Sequence, residues 1–219
     1  MRILVLGDSI TDCGHCFTAD NLGNGYVKYM DQLLRAESDS ADISVTNGGS
    51  DGFTFERMLS KWRRMYRPAP CRAGEAAPGE NTALHPGYDI AVIQGGINEV
   101  SILMGTGLDR AGQQAVLARS QQALSELLAE TAQAGIRSVC VMEPFLFRQP
   151  AWLTLWMPCL EQIRMMMRET VQTISVQPAL DELAAQLGIS NVTTDGIHLT
   201  PAGHRCLAEQ LLPFLLYHA

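Results

Sequence analysis

Short apolar runs rich in β-branched residues alternate along the chain with longer stretches in a helical pattern. Short runs bounded by turn residues are typical of strands, and longer periodic stretches are typical of helices. The pattern predicts five strands, at Arg2–Leu6, Ile43–Thr46, Asp89–Gln94, Ser138–Met142 and Thr173–Val176. It also predicts helices over Gly25–Ala36, Phe55–Tyr66, Arg110–Ala134 and Leu160–Thr170, and a last helix that begins at Pro201 with Thr200 as its N-cap.

The alternation of strands and helices predicts an α/β fold with a parallel sheet covered by helices on both faces. No repeat or linker marks a boundary, so a single domain over residues 1–219 is expected. Ligands of such sheets bind beyond the carboxyl ends of the strands. Four loops should therefore lie at the functional edge, those after Leu6, Thr46, Gln94 and Met142. The Pro- and Gly-rich segment Arg67–Tyr88 leads into a strand and should lie at the opposite edge.

Charge and composition exclude several classes of partner. Sixteen Lys and Arg against 23 Asp and Glu give a net charge of −7, which argues against nucleic acid or an anionic membrane as the main partner. The longest apolar runs, such as Leu211–Tyr217, are too short to cross a bilayer. Met1 and Arg2 lead directly into a strand with no signal-peptide cleavage site after it, and the six cysteines fit reduced thiols. We therefore expect a cytoplasmic protein that acts on a small molecule.

Four polar, glycine-rich motifs stand where the predicted fold has its functional edge. They are Gly7-Asp8-Ser9-Ile10 after the first strand, Asn47-Gly48-Gly49-Ser50-Asp51-Gly52 after the second, Gly96-Ile97-Asn98-Glu99 after the third, and Asp195-Gly196-Ile197-His198 before the last helix. A serine hydroxyl becomes nucleophilic when an imidazole takes its proton and an acceptor fixes the imidazole tautomer. We predict Ser9 as the nucleophile, His198 as its base and Asp195 as the partner of that base.

A tetrahedral oxyanion needs hydrogen-bond donors that are arranged in advance, each worth about 3 kcal/mol of the barrier. The predicted donors are the backbone N–H groups of Ser9 and Gly49 and the side-chain amide of Asn98. Gly49 suits this role because a residue without a Cβ lets the substrate approach the backbone closely.

The four motifs, in this order from Gly7 to His198, resemble the four blocks of the SGNH (GDSL) hydrolase superfamily. The longer stretch Gly7–Gly14, followed by Leu22–Val27, is similar to the branch that contains intracellular acetylxylan esterases, which remove acetyl groups from xylo-oligosaccharides. The resemblance implies a flavodoxin-like three-layer α/β/α sandwich and a reaction without a cofactor or metal ion. It implies the same site residues, with Ser9, Asp195 and His198 as the triad and Gly49 and Asn98 as oxyanion donors.

The sequence departs from the family pattern at two places. Glu99 stands where the third block usually has aspartate, and because a carboxylate remains, we expect a shifted supporting hydrogen bond. The segment Arg67–Tyr88 is longer than this branch usually carries, and its predicted position connects it with assembly rather than chemistry.

Three other residue sets could carry chemistry. Gly48–Gly52 also fits the nucleophile elbow of α/β-hydrolases, but a single strand precedes Ser50, whereas an α/β-hydrolase has several strands before its elbow. His204 competes with His198 as base, although a histidine one turn inside a helix is more often packed or solvated. Cys13 and Cys16 form a Cys-x-x-Cys pair near Ser9, which alone is a weak zinc signal and leaves thiol redox chemistry open.

The loop Pro144–Pro158 should lie at the functional edge and is rich in aromatic residues, namely Phe145, Phe147, Trp152 and Trp156. These side chains either form the acyl pocket and stack on sugar rings, or pack on the core or on a second subunit. Asp8, beside the nucleophile, is a further candidate for substrate contact. Three successive methionines, Met165 to Met167, cannot all face one side of a helix, so one should be exposed, which favours a homo-oligomer interface.

The predicted function is hydrolysis of small acyl esters, with an acetylated carbohydrate such as a xylo-oligosaccharide as substrate and an acyl-enzyme as intermediate. Two alternatives stay open. A lysophospholipase or thioesterase would use the same triad but would need a long apolar groove, for which the sequence shows no clear signal. A carbohydrate-binding protein without turnover would have no need of the whole residue set.

Overall fold

The computed structural model describes residues 1–38, 42–66, 87–105 and 107–218. Its centre is a five-stranded parallel sheet with the strand order β2-β1-β3-β4-β5. The strands are β1 (Arg2–Gly7), β2 (Ser44–Gly49), β3 (Ile90–Gln94), β4 (Ser138–Met142) and β5 (Thr173–Ile174). The predicted parallel sheet is confirmed.

Helices cover the sheet in two groups. The α-helices of the described residues are α1 (Ser9–Asp12), α2 (Tyr26–Glu37), α3 (Phe55–Lys61), α4 (Ile97–Gly105), α5 (Arg110–Gln133), α6 (Met157–Thr170), α7 (Gln177–Leu187) and α8 (Pro201–Tyr217). In one group α8 packs against α2 and α7, and in the other α3, α4 and α6 pack around α5. The sheet and these two groups form the predicted three-layer α/β/α sandwich.

Strand β1 lies between β2 and β3 and pairs with both. After β1 the chain adds β2 on one side of it, and then adds β3, β4 and β5 on the other side. Residues Ile3 to Leu6 and Ile90 to Ile93 are apolar and almost completely buried, as expected for strands covered on both faces. Ligands of doubly covered sheets bind at such a switch point, beyond the carboxyl ends of the strands. Because β1 ends at Gly7 and Ser9 begins α1 after a single intervening residue, the fold places Ser9 at this point.

Several boundaries differ from the prediction. Strand β2 continues past Thr46 to Gly49, because Asn47 to Gly49 pair with Val5 to Gly7 of β1. The helix predicted to end at Tyr66 changes to a π-helical turn over Trp62–Tyr66, β5 ends at Ile174, and α6 begins at Met157. Helices α1, α4 and α7 were not expected from the pattern.

Two further predictions concern surfaces. Of the segment Arg67–Tyr88, residues 67–86 lie outside the described residues, so its predicted position stays a prediction. Met165 is 56% exposed while Met166 and Met167 are buried, as the helical pattern requires. Within the described part of the chain, no helix combines the length and apolar character that crossing a membrane requires.

Candidate active site

Ser9, His198 and Asp195 form a continuous hydrogen-bonded relay. Ser9 Oγ lies 3.0 Å from His198 Nε2, and His198 Nδ1 lies 2.7 Å from Asp195 Oδ2. An ionised carboxylate can only accept hydrogen bonds, so the imidazole proton resides on Nδ1. The lone pair on His198 Nε2 therefore faces the Ser9 hydroxyl and can accept its proton.

A tight turn sets the geometry between Asp195 and His198. Asp195 Oδ1 accepts the backbone N–H groups of Ile197 at 2.8 Å and of His198 at 2.7 Å. Partial burial acts to raise the pKa of Asp195, but the hydrogen bonds from the side chain and backbone of His198 and from Ile197 outweigh it and hold the pKa below its ordinary value. The carboxylate thus stays ionised and its second oxygen is free to orient the imidazole.

The loop after β4 supports this turn from the other side. The Phe147 N–H donates to the Gly196 carbonyl at 2.9 Å. Gly196 has a φ of 94°, and a Cβ at this position would collide with the Leu153 side chain and the Gln149 carbonyl. The loop therefore contributes to the site by fixing the backbone that carries the base.

The aromatic side chains of that loop do not line the space beside Ser9. Phe145 is 1% exposed and packs in the core, Trp156 packs partly buried against it, and Trp152 is exposed. Trp152 and Trp156 contact each other edge to face, with ring centroids 5.6 Å apart. The predicted substrate contact is therefore corrected for Phe145, whose burial leaves it no open surface.

Asp8 also differs from its predicted role. Its side chain is fully buried and accepts the Ile10 N–H at 3.0 Å, so it is the N-cap of α1. Burial raises the pKa of Asp8 to about 7, against the hydrogen bonds from Ile10 and Gln94. A buried cap cannot contact substrate, and the structure instead assigns Asp8 to holding the turn that presents Ser9.

A cavity of about 580 Å³ opens beside the relay, lined by Ser9, Ile10, Asp51, Gly52, Asn98 and His198 among others. Asn98 Nδ2 donates to the Phe53 carbonyl at 2.9 Å, which fixes the orientation of the amide. An amide NH₂ group has two hydrogens, so one stays available to a ligand in the cavity. Ser9 is the first residue of α1, where a helix cannot satisfy its own N–H groups.

The predicted oxyanion donor Gly49 is turned away from this cavity. Its N–H donates to Asn47 Oδ1 at 2.9 Å, and a Cβ at Gly49 would collide with the backbone of Asp12. Gly52 lines the cavity instead, with a φ of 69°, and its N–H has no acceptor among the residues that the structure describes. This geometry argues against Gly49 as a donor, and Gly52, in the same motif but beyond the end of β2, is the candidate in its place.

Residues 5–206 match the family model described as GDSL-like lipase/acylhydrolase. The chain belongs to this family. It is similar to an acetylxylan esterase of Geobacillus stearothermophilus, with 24% identity over 225 residues that cover 96% of this chain and 92% of the relative.

Solved structures have the same fold. The crystal structure of the Geobacillus stearothermophilus acetylxylan esterase matches with a TM-score of 0.69 and 26% identity, covering 97% of this chain and 92% of that one. An alpha/beta hydrolase enzyme from the metagenome of Lake Arreo, Spain, matches with a TM-score of 0.70 and 21% identity, covering 97% and 93%. The protein is thus a carboxylic ester hydrolase of the GDSL type.

Neither rival residue has a nucleophile–base arrangement in this GDSL hydrolase. Ser50 Oγ accepts a hydrogen bond from Lys61 Nζ at 2.8 Å rather than facing an imidazole. His204 Nδ1 accepts the Tyr26 N–H at 3.2 Å, and burial lowers the pKa of His204 to about 4. Among the described residues, no group of three or more His, Cys, Asp and Glu side chains could hold a metal ion.

Glu99 has an internal partner. Its side chain is 1% exposed, and Oε1 accepts the Phe55 N–H at 2.7 Å, while burial raises its pKa to about 7. Asn98 binds the carbonyl of Phe53, two residues before Phe55. Glu99 and Asn98 therefore both anchor the start of α3 and the end of the loop that carries Gly52.

Proposed function

We propose that this esterase hydrolyses small acyl esters through an acyl-enzyme intermediate on Ser9. The observation that carries the proposal is the relay from Ser9 Oγ through His198 to Asp195, with distances of 3.0 and 2.7 Å, beside an open cavity. Ser9 Oγ attacks the ester carbonyl while His198 Nε2 takes its proton. Asp195 stabilises the imidazolium that forms, because its carboxylate accepts a hydrogen bond from the Nδ1–H of His198.

In each half-reaction, His198 passes the proton that it has taken up to the oxygen that leaves. The imidazolium of His198 donates to the leaving alkoxide, so the alcohol departs and the acyl group stays on Ser9. Water then loses a proton to His198 Nε2 and attacks the acyl carbon, and Ser9 Oγ leaves with that proton. In both steps the amide of Asn98 and the N–H groups of Ser9 and Gly52 would bind the oxyanion.

An acetylated carbohydrate is the proposed substrate class. The resemblance to acetylxylan esterases over almost the whole chain supports this choice. The cavity supports this choice too, because its lining combines the polar side chains of Asp51 and Asn98 with the aliphatic side chains of Ile10 and Leu199. A small acyl group on a polar alcohol fits such a lining better than a long alkyl chain does.

The test is acetate release from acetylated xylo-oligosaccharides by the wild type beside Ser9→Ala and Ser50→Ala. We expect Ser9→Ala to lose acetate release and Ser50→Ala to keep it. Loss through Ser50→Ala alone would overturn the nucleophile assignment.

Chromogenic esters separate the mechanism from the substrate. If the acyl pocket is short, p-nitrophenyl acetate should be cleaved much faster than p-nitrophenyl palmitate. Cleavage of p-nitrophenyl acetate without acetate release from the oligosaccharides would keep the mechanism and reject the carbohydrate. Absence of turnover on every ester would favour a binding protein.

A further inference from the structure

A second relay of nucleophile, imidazole and carboxylate lies at the C-terminal end of α1 and in the turn after it, and consists of Cys16, His15 and Asp12. His15 Nδ1 lies 2.8 Å from Asp12 Oδ1, and Cys16 Sγ lies 3.4 Å from His15 Nε2. Asp12 Oδ1 also accepts the backbone N–H of His15 at 3.3 Å. The carboxylate therefore holds both the backbone and the ring of the histidine.

The same local arrangement recurs in the ester-hydrolysing relay. Asp12 and His15 are three residues apart, as are Asp195 and His198, and in both pairs the carboxylate faces Nδ1 and leaves Nε2 toward a nucleophile. The carboxylate of Asp12 fixes the proton of His15 on Nδ1. The lone pair on His15 Nε2 then faces the Cys16 thiol, which can donate its proton to it.

Exposure suits a reaction with a ligand from solution. The side chains of His15 and Asp12 are only 13% and 19% exposed, so the pair is shielded, whereas Cys16 is exposed. The base is thus held in a fixed geometry while its nucleophile stays accessible. Reactive cysteines lie in accessible sites of this kind, often beside a histidine.

Two further titratable groups lie near Cys16. Burial lowers the pKa of Lys61, while Asp12 and Cys16 act on that pKa in the opposite direction, so the ammonium lies within electrostatic reach of the sulfur. Burial raises the pKa of Tyr66 to about 12, with smaller effects of Tyr88 and Cys16 in the same direction. The raised pKa means that the Tyr66 phenol stays neutral.

Cys13, three residues earlier, has the opposite environment. Its thiol donates to the Ile10 carbonyl at 3.3 Å, and burial raises its pKa to about 12. The Cys13 sulfur lies 3.4 Å from Nε2 of His204. Because His204 Nδ1 accepts the Tyr26 N–H, the proton of the neutral ring is on Nε2. That nitrogen therefore cannot act as a base for Cys13. Of these two cysteines, only Cys16 lies beside a histidine nitrogen that can take its proton.

We propose that Cys16 is a modification site, a thiol nucleophile that exchanges with low-molecular-weight disulfides such as glutathione disulfide. The Cys16 proton moves to His15 Nε2, and the sulfur attacks one sulfur of the disulfide. The original S–S bond breaks as the new bond to Cys16 forms, and the departing thiolate takes the proton from His15. Nothing beyond the incoming disulfide is consumed, and the product is a mixed disulfide on Cys16.

The test measures how fast the mixed disulfide forms when the folded protein meets glutathione disulfide at pH 6, with peptide mass spectrometry resolving each cysteine. We expect modification at Cys16, absent in Cys16→Ser, and a rate about tenfold lower in His15→Gln, because glutamine cannot take the proton of the thiol. Asp12→Asn should also slow the reaction, since the imidazolium loses its counter-ion. His218→Gln, a histidine remote in sequence that bonds Ser138, is the matched control and should keep the wild-type rate.

Esterase turnover of p-nitrophenyl acetate shows whether each variant is folded, because the first relay does not use Cys16 or His15. Equal rates for the wild type and folded His15→Gln would overturn the proposal. Faster modification of Cys13 than of Cys16 would overturn it as well. If His15→Gln fails to fold, Asp12→Asn decides by the same comparison of rates.

Discussion

The side chain of Asn47 accepts the backbone N–H of Gly49 at 2.9 Å and donates to the carbonyls of Thr11 and Leu22 at 2.8 Å each. One buried amide thus joins the end of β2 to both ends of the segment that follows Ser9. Its bond to Gly49 removes that N–H from any role in the cavity. The loop beyond Gly49 then carries Gly52, whose N–H has no acceptor within the described ranges, to the cavity beside Ser9.

Replacing Asn47 should destabilise the fold. Asn47→Ala leaves the Thr11 and Leu22 carbonyls and the Gly49 N–H without their partner in a buried position. We expect a loss of about 2–4 kcal/mol in the free energy of unfolding, measured by urea denaturation. The exposed Asn24→Ala is the control and should change it by less than about 0.5 kcal/mol. A loss below about 1 kcal/mol for Asn47→Ala would show that water replaces the amide.

Removing the amide of Asn98 should act on the rate rather than on binding. Asn98→Ala deletes a donor that faces the cavity, and the loss of one oxyanion donor costs about 10²–10³ in kcat. Steady-state kinetics with p-nitrophenyl acetate should show this fall with KM little changed. A fall in kcat/KM that comes only from KM would mean that Asn98 binds the ground state and not the oxyanion.

A methyl group at Gly196 should displace the turn that positions Asp195 and His198. Gly196→Ala adds a Cβ against Leu153 and the Gln149 carbonyl at a φ of 94°, which side chains rarely adopt. We expect the turn to shift and kcat to fall at least tenfold, with the fold retained by circular dichroism. Gly135→Ala is the control, because its φ of 86° carries similar strain but a Cβ there meets nothing within 4 Å. Equal kcat values for both variants would show that the turn tolerates the methyl group.

The buried carboxyl of Asp8 predicts a pH-dependent stability. Its pKa rises from 3.8 to about 7 on folding, so the folded state binds more protons between these values and stability falls as the pH rises through them. Asp8→Asn keeps a capping side chain without this charge. Relative to the wild type, the variant should gain stability from pH 4 to pH 8, on the order of 4 kcal/mol at the upper end. Unfolding curves measured across this range check the trend, and a constant difference would contradict it.

Much of the site follows from local and topological features of the sequence. Asp195 and His198 are three residues apart, so one short turn brings both side chains to the same side. Ser9 follows an apolar strand, and because parallel strands end at a common edge, it lies near Asn98 once the alternating pattern is recognised. These relationships depend on chain order and periodicity, which are visible in the sequence.

Other features depend on contacts between distant segments. The choice between Gly49 and Gly52 depends on where β2 stops pairing with β1, and that pairing continues to Gly49 only because Val5 to Gly7 lie beside it. The burial of Phe145 depends on how the loop after β4 packs against the core, which no local pattern shows. The sequence alone therefore determined which residue types meet at the edge of the sheet, and the tertiary structure decided which N–H groups and side chains face the cavity, because hydrogen bonds and packing across the chain direct them.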